Sequence, residues 1–211
     1  MKTEAEITPA SPRKIWIALI VTAVIALIAA FLLDQATANW ITTRSSPELK
    51  RVMGMVSSVG DWPAHMIAGT IGIAIAFAAK SKTWMRIFLA MMIALALAGV
   101  TGRVIKFATG RARPSVTTET HWNGPRFSSK YHAFPSGHTA SSTAFFVALF
   151  LARKKLGAPL LLIPILIALS RLIVGAHYLS DVTFAAILGV VCALIATRSL
   201  RTPNPQSATR G

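Results

Sequence analysis

The chain has 211 residues, of which 54% are hydrophobic and only 14% charged, and its mean hydropathy is +0.58. That balance excludes an ordinary soluble domain, which carries more charge and fewer apolar residues. The 22 Lys+Arg against 7 Asp+Glu, a net +15, suit anionic lipid or phosphate as partner rather than nucleic acid, whose modules are rarely this apolar.

A membrane-spanning helix needs about 20 mostly apolar residues, and six segments come close. In chain order they are Lys14 to Asp34, Trp62 to Lys80, Trp84 to Lys106, Ser136 to Lys155, Ala158 to Gly175, and His177 to Arg198. The first has a basic flank like a signal peptide. Its apolar run is long for one, and no small-residue cleavage site follows in "DQATANW", so it is read as a helix of the mature protein. The fourth and fifth are less apolar per residue, which suits helices packed among others. Trp16, Trp40, Trp62 and Trp84 lie near helix ends, where an aromatic belt sits. Cys192 is the only cysteine, so no intrachain disulfide forms, and its apolar surroundings make it a small core residue. The expected fold class is all-α: one polytopic six-helix bundle over 1–211, with short tails at about 1–13 and 199–211. The tail from Thr202 is Pro/Ser/Asn-rich and reads as disordered.

Basic residues in short loops set orientation. Lys80, Lys82 and Arg86 follow the second span, and Arg153, Lys154 and Lys155 follow the fourth. The tails carry Lys2, Arg13, Lys14, Arg198, Arg201 and Arg210. Six spans put all of these on one side, the cytoplasm, with both termini inside. The loop after the third span breaks the pattern, with Arg111, Arg113, Arg126 and Lys130 on the other side. A bound anion gives those charges a reason to be there.

Three polar clusters fall at helix ends on that outer side: "KFATGRARP" from Lys106, "PSGH" from Pro135 and "SRLIVGAHYLSD" from Ser170. Lys106, Arg113 and Arg171 are cations suited to phosphate oxygens, the guanidinium as a fork and the ammonium as a point charge. Ser136 and Gly137 start a helix, where free backbone N–H groups favour an anion and glycine lets it come close. Pro135 fits a first turn that lacks N–H partners. His177 and Asp181 are four residues apart, so a helical turn stacks them, and the carboxylate can fix the tautomer of the imidazole. An oriented imidazole beside a caged phosphate is a nucleophile, and His138 supplies a second imidazole as an acid.

Together the clusters resemble the signature of the type 2 phosphatidic acid phosphatase superfamily: K-x-x-x-x-x-x-R-P, then P-S-G-H, then S-R-x-x-x-x-x-H-x-x-x-D. Every defining position is matched, in order, between Lys106 and Asp181. The resemblance implies that His177 attacks phosphorus to form a phosphohistidine and that Asp181 orients it. It implies that His138 protonates the leaving oxygen and then helps activate water. Lys106, Arg113, Ser136, Gly137 and Arg171 would hold the phosphate oxygens, with no metal and no cofactor. The sequence agrees on the metal, since Glu119 and Asp181 are the only acids near these clusters, too few for a Mg²⁺ site.

The implied enzyme is an integral-membrane lipid phosphate or diphosphate phosphatase of the inner (plasma) membrane with its site facing outside. Its partners are the bilayer and a membrane lipid phosphate: undecaprenyl diphosphate, phosphatidylglycerol phosphate, phosphatidic acid or a lipid A phosphate. The shared residues do not choose among these, and the sequence sets no oligomeric state. Contacts that choose are expected in 34–61 and 116–132. A vanadium-dependent haloperoxidase shares the three blocks, but six apolar spans argue against it. A lipid or phosphate transporter with a degenerate site is the other alternative, and the intact His138, His177 and Asp181 argue against that. Outside the signature, His65 is either a functional polar group within a span or, the favoured reading, a packed histidine; Arg111 and Arg126 either touch substrate or, as favoured, meet lipid headgroups; and Gly99 and Gly102 are expected to allow close helix packing rather than bind anything.

Overall fold

The computed structural model describes residues 11–200, and it is all-helical. The helices are α1 (Pro12–Arg44), α2 (Pro47–Val59), α3 (Trp62–Ala78), α4 (Lys82–Thr109), α5 (Gly137–Ala152), α6 (Lys154–Leu160), α7 (Leu162–Ile173) and α8 (Leu179–Ser199), with a 3₁₀ turn at Ser129–Tyr131. The tail from Thr202 and the basic residues Lys2, Arg201 and Arg210 lie outside the described residues.

The helices begin where the chain supplies an oxygen for their free N–H groups. Ser11, Ser46, Asp61, Ser81 and Ser136 are N-caps whose side chains each accept a backbone N–H. Four helical stretches are long and apolar enough to cross a membrane: Arg13–Arg44, Lys82–Thr109, Lys154–Ile173 and Leu179–Ser199. The other two expected spans form shorter apolar helices, α3 with 17 residues and α5 with 16. The segment expected as one helix from Ala158 is broken after Leu160, between Pro159 and Pro164. Two elements differ further from expectation. α1 runs ten residues past Asp34, and residues read as a loop form α2, which turns Lys50, Met53, Ser57 and Gly60 inward.

The core lies where α5 packs against α4 and α8. It is built largely of small residues: Ala94 and Ala98 of α4, Ala140, Ala144 and Ala148 of α5, and Ala185, Ala193 and Ala196 of α8. Without a strong hydrophobic drive between helices in lipid, small residues gain packing by letting backbones approach. Cys192 is buried among them, as expected. Among the helices α1 packs chiefly on α8 and less on α7, and Ile20, Leu32 and most of its other apolar side chains face outward. That is the face a bilayer covers.

The long α4–α5 connection is ordered by its own backbone. α4 ends on Gly110 in the left-handed region (φ 54°), where a Cβ would sit 1.8 Å from the Gly124 carbonyl oxygen. Ala112 N–H then donates to His121 O, Arg113 N–H to Lys130 O, and Ala133 N–H to Arg111 O. These bonds fix the direction in which Arg111 and Arg113 leave the chain.

Candidate active site

Alternating helix direction gathers the C-termini of α4 and α7 and the N-termini of α3, α5 and α8 at one end of the bundle. A cleft of about 430 Å³ opens there, and Lys106, Arg113, Gly137, His138, Arg171 and His177 all line it. Ser136 and Asp181, the other two expected site residues, are wholly buried behind its wall. The three clusters, spread over 76 positions of sequence, therefore converge on one place.

His177 precedes α8 rather than lying on it, so no helical turn stacks it on Asp181. Its Nδ1 is 2.6 Å from the Ala133 carbonyl oxygen. A carbonyl only accepts, so Nδ1 carries the proton and donates it. Asp181 Oδ2 stands back at 3.6 Å from the same nitrogen and accepts the Tyr178 N–H at 2.7 Å. The tautomer is thus fixed by a main-chain oxygen, with the carboxylate behind it. Nε2 keeps its lone pair and has no hydrogen-bond partner among the described residues. Burial holds the His177 pKa down at about 4, against the raising effect of Asp181. The imidazole is neutral at pH 7.

Arg111 overturns its expected role at lipid headgroups. Only 5% of it is exposed, and its guanidinium bridges Asp181 Oδ1 at 2.5 Å and Asp34 Oδ2 at 2.6 Å. A buried guanidinium persists only with such partners. Arg126 is exposed and lies over the Tyr131 ring. His65 is packed as expected, edge-on to Phe145 and Phe146, with Nδ1 donating to Asp61 O. Gly99 and Gly102 line the cleft instead of a helix contact, since a Cβ at either would meet nothing closer than 3.9 Å.

At the start of α5, Pro135 precedes the N-cap rather than occupying the first turn. Ser136 is that cap: its Oγ accepts from the Thr139 N–H and hydroxyl, and its own N–H donates to Asp181 O at 3.1 Å. Its main-chain N–H is already engaged, so the open main-chain donors of this turn are the N–H groups of Gly137 and His138. A Cβ on Gly137 would meet no heavy atom within 4 Å, which leaves its main chain open to the cleft. His138 Nε2 lies 3.8 Å from Asp61 Oδ1.

Lys106 and Arg171 are held by other elements. Lys106 Nζ donates to the His132 carbonyl at 2.9 Å. Arg171 Nη1 donates to Ser57 Oγ of α2 at 2.5 Å. Burial lowers the pKa of Arg113, and Asp181 opposes that. The buried Nε atoms of Arg113 and Arg171 have no hydrogen-bond partner among the described residues. The signature does not contain Asp61, Arg103, Ser129, His132 and Ser141, which complete the polar lining. Arg103 alone among these had a sequence signal, a charge within an otherwise apolar span. The cleft has Arg103, Lys106, Arg113 and Arg171 against a single carboxylate, Asp61.

Fold and site define a helical membrane protein with a cationic cleft that presents two histidines at one end of the bundle. The chain belongs to the PAP2 superfamily, which it matches over residues 87–205. It is 35% identical to the decaprenylphosphoryl-5-phosphoribose phosphatase of Mycolicibacterium smegmatis over 60% of this chain and 66% of that one. It is 33% identical to the lipid A 1-phosphatase of Rhizobium johnstonii over 47% of this chain and 44% of that one. It is 29% identical to undecaprenyl-diphosphatase BcrC of Bacillus subtilis over 45% of this chain and 50% of that one. The chain thus covers less than two thirds of the length of each of these relatives. Among solved structures, the transmembrane PAP2 type phosphatidylglycerolphosphate phosphatase of Bacillus subtilis superposes with a TM-score of 0.66 at 20% identity, over 87% of this chain and 94% of that one. LpxE of Aquifex aeolicus gives a TM-score of 0.60 at 22% identity, over 79% and 95%. These two share the fold.

Proposed function

We propose that the protein is an integral-membrane phosphatase that removes a terminal phosphate from a membrane lipid through a phosphohistidine on His177. The observation that carries this is the neutral His177, with Nδ1 tied to Ala133 and Nε2 unpartnered, on the wall of a cationic cleft that also holds His138. In the first step Nε2 forms a bond to phosphorus and the bond to the lipid-side oxygen breaks. His138 gives its proton to that oxygen. In the second step His138, now a base, takes a proton from water, whose oxygen bonds phosphorus. The N–P bond breaks, its electron pair returns to Nε2, and inorganic phosphate leaves. Lys106, Arg113, Arg171 and the Gly137 and His138 N–H groups bind the phosphate oxygens and the charge that builds on them. With α3 and α5 also crossing, the basic turns at Lys80–Lys82 and Arg153–Lys155 lie opposite the cleft, which supports a cleft at the outer face of the membrane.

Arg103 favours a lipid with a second phosphorus group. It lies one turn before Lys106, towards the bundle centre, and makes no hydrogen bond or ion pair among the described residues. A phosphate between the scissile group and the lipid tail falls on that side. Two relatives are named for such substrates, a decaprenylphosphoryl-phosphoribose and an undecaprenyl diphosphate. The test is phosphate release by the purified protein from undecaprenyl diphosphate, phosphatidylglycerol phosphate, phosphatidic acid and lipid A in detergent. Release is expected, with Arg103→Gln lowering kcat/KM for the diphosphate more than for phosphatidic acid. No release from any of the four refutes the phosphatase reading. Equal losses on all of them remove Arg103 from substrate choice. Halide oxidation with vanadate instead would mark a haloperoxidase.

A further inference from the structure

Asp34 and Arg111 match no defining position of the signature and do not line the cleft, yet both are buried beside Asp181. Arg111 Nη1 donates to Asp181 Oδ1 at 2.5 Å and to Ser180 Oγ at 2.7 Å. Nη2 donates to Asp34 Oδ2 at 2.6 Å. Ser180 gives its N–H to Asp34 Oδ1 at 2.8 Å and its hydroxyl to Asp34 Oδ2 at 2.6 Å. The guanidinium carbon also lies 4.4 Å from the Tyr178 ring centre and 4.8 Å from that of Trp122, within range of cation–π attraction. An arginine from the α4–α5 loop thereby ties a carboxylate of α1 to one of α8.

The arrangement has a charge consequence. Paired with Arg111 alone, Asp181 would be neutralised and would offer His177 little. Asp34 is the second carboxylate, so the trio carries a net negative charge. When Nε2 bonds phosphorus with Nδ1 still protonated, the imidazole becomes cationic. A net negative group 3.6 Å from Nδ1 then stabilises it, the more so in a buried setting. We infer that Asp34 and Arg111 are positioning residues of the reaction: Arg111 fixes the Asp181 carboxylate, and Asp34 restores the negative charge that Arg111 would otherwise cancel. This inference rests on the phosphohistidine reading above.

The bland counterpart is a structural clamp that only holds α1 to α8, and kinetics separate the two. Asp34→Asn keeps the shape of the network and removes its surplus charge, while Arg111→Lys keeps the charge and loses the fork. Each is expected to lower kcat about tenfold or more with KM nearly unchanged, because neither touches the phosphate ligands. In an Asp181→Asn background, the same changes should cost less than about threefold, since their route to His177 is already broken. Full, multiplicative losses in that background, or wild-type kcat in both single variants, overturn the inference. If Arg111→Lys does not fold, Asp34→Asn carries the test. Titration of the histidine NMR signals needs no turnover: Asp34→Asn should push His177 to still lower pKa, and an unmoved His177 overturns the inference. An inactive wild type refutes the phosphatase reading instead and leaves this titration to decide on Asp34.

Discussion

His177 and His138 are both imidazoles on one cleft wall, and their surroundings divide their work. His177 is buried and neutral, with one nitrogen committed to Ala133. His138 is partly exposed and faces Asp61. His177→Ala is therefore expected to abolish both turnover and phosphoenzyme labelling in a protein that still folds. His138→Ala should hurt poor leaving groups, such as lipid alkoxides, far more than activated aryl phosphates, which leave without a proton. Equal losses on both substrate types would remove His138 from the acid role. The low pKa of His177 also sets a pH expectation. It loses its proton near 4 rather than at the ordinary 6.5, so the nucleophile stays competent well below pH 6. The acid limb of kcat/KM, once corrected for ionisation of the substrate phosphate, should follow. The stability sign is fixed too. Between 6.5 and about 4 the unfolded chain binds a proton at this position and the folded one does not, so stability falls as pH drops through that window. A melting temperature in detergent that rises on acidification over that range would contradict the burial of a neutral imidazole. The sequence made the signature residues legible because chemistry fixes their spacing. It left Asp34 and Asp61 unassigned and set Arg111 among lipid headgroups because their partners lie far along the chain: Arg111 meets residues 77 and 70 positions away.

Among the elements, the contact between α5 and α8 sets the site. It presents His138 from one helix start and positions Asp181 at the other, and the Ser136 N–H to Asp181 O bond joins the two starts. Gly189 makes this approach possible. A Cβ there would lie 2.7 Å from Thr143 Cβ and 2.8 Å from the Ala140 carbonyl oxygen, and backbone does not yield as a long side chain does. Gly189→Ala is expected to push the helices apart, cost about 1–3 kcal/mol and lower kcat by separating the two histidines. A variant with wild-type melting temperature and kcat would show that α5 and α8 adjust without moving the site. α2 contributes from the opposite wall through Ser57 and Arg171. The apolar runs announced α1, α3, α4 and α8, since hydropathy over that length has few other solutions. α2 went unread because its inward face is a narrow stripe within a polar stretch. Ser46 with Pro47 and Glu48 is a helix start that tertiary packing against α7 then rewards. The length of α1 was hidden for a similar reason: it has 33 residues, about 50 Å, against roughly 30 Å of hydrocarbon. Its last turns leave the apolar layer, where hydropathy no longer marks a helix, and this brings Asp34 level with the site.

At the scale of the whole molecule the remaining question is which way the bundle faces. The helix ends around the cleft all lie together, so the site is on one side whatever the orientation. Four stretches qualify as spans by length and composition, and α3 and α5 are shorter apolar helices. If all six cross, the turns at Lys80–Lys82 and at Arg153–Lys155 lie opposite the cleft. These turns are basic and close to span ends, where positive charge most strongly selects the cytoplasm. The cations on the cleft side argue the other way only if all are counted as free charge, and several are not. Arg111 is consumed by Asp34 and Asp181, while Lys106, Arg113 and Arg171 converge on the cleft. Removing these ligands from the count leaves the bias with the opposite side. The cleft should therefore open to the exterior, where a lipid of the outer leaflet reaches His177 without crossing the bilayer. Released phosphate would leave into the water outside, and the lipid would stay in its leaflet. Fusions to paired reporters, one active only in the cytoplasm and one only outside, test this. Fusions after Lys82 and Lys155 should report inside, and one at Ser129, in the loop over the cleft, should report outside. A cytoplasmic signal at Ser129 would invert the bundle and move the substrate to the inner leaflet, with the chemistry at His177 untouched. Opposite signals at Lys82 and Lys155 would instead mean that α4 and α5 do not both cross, and the span count itself would fall.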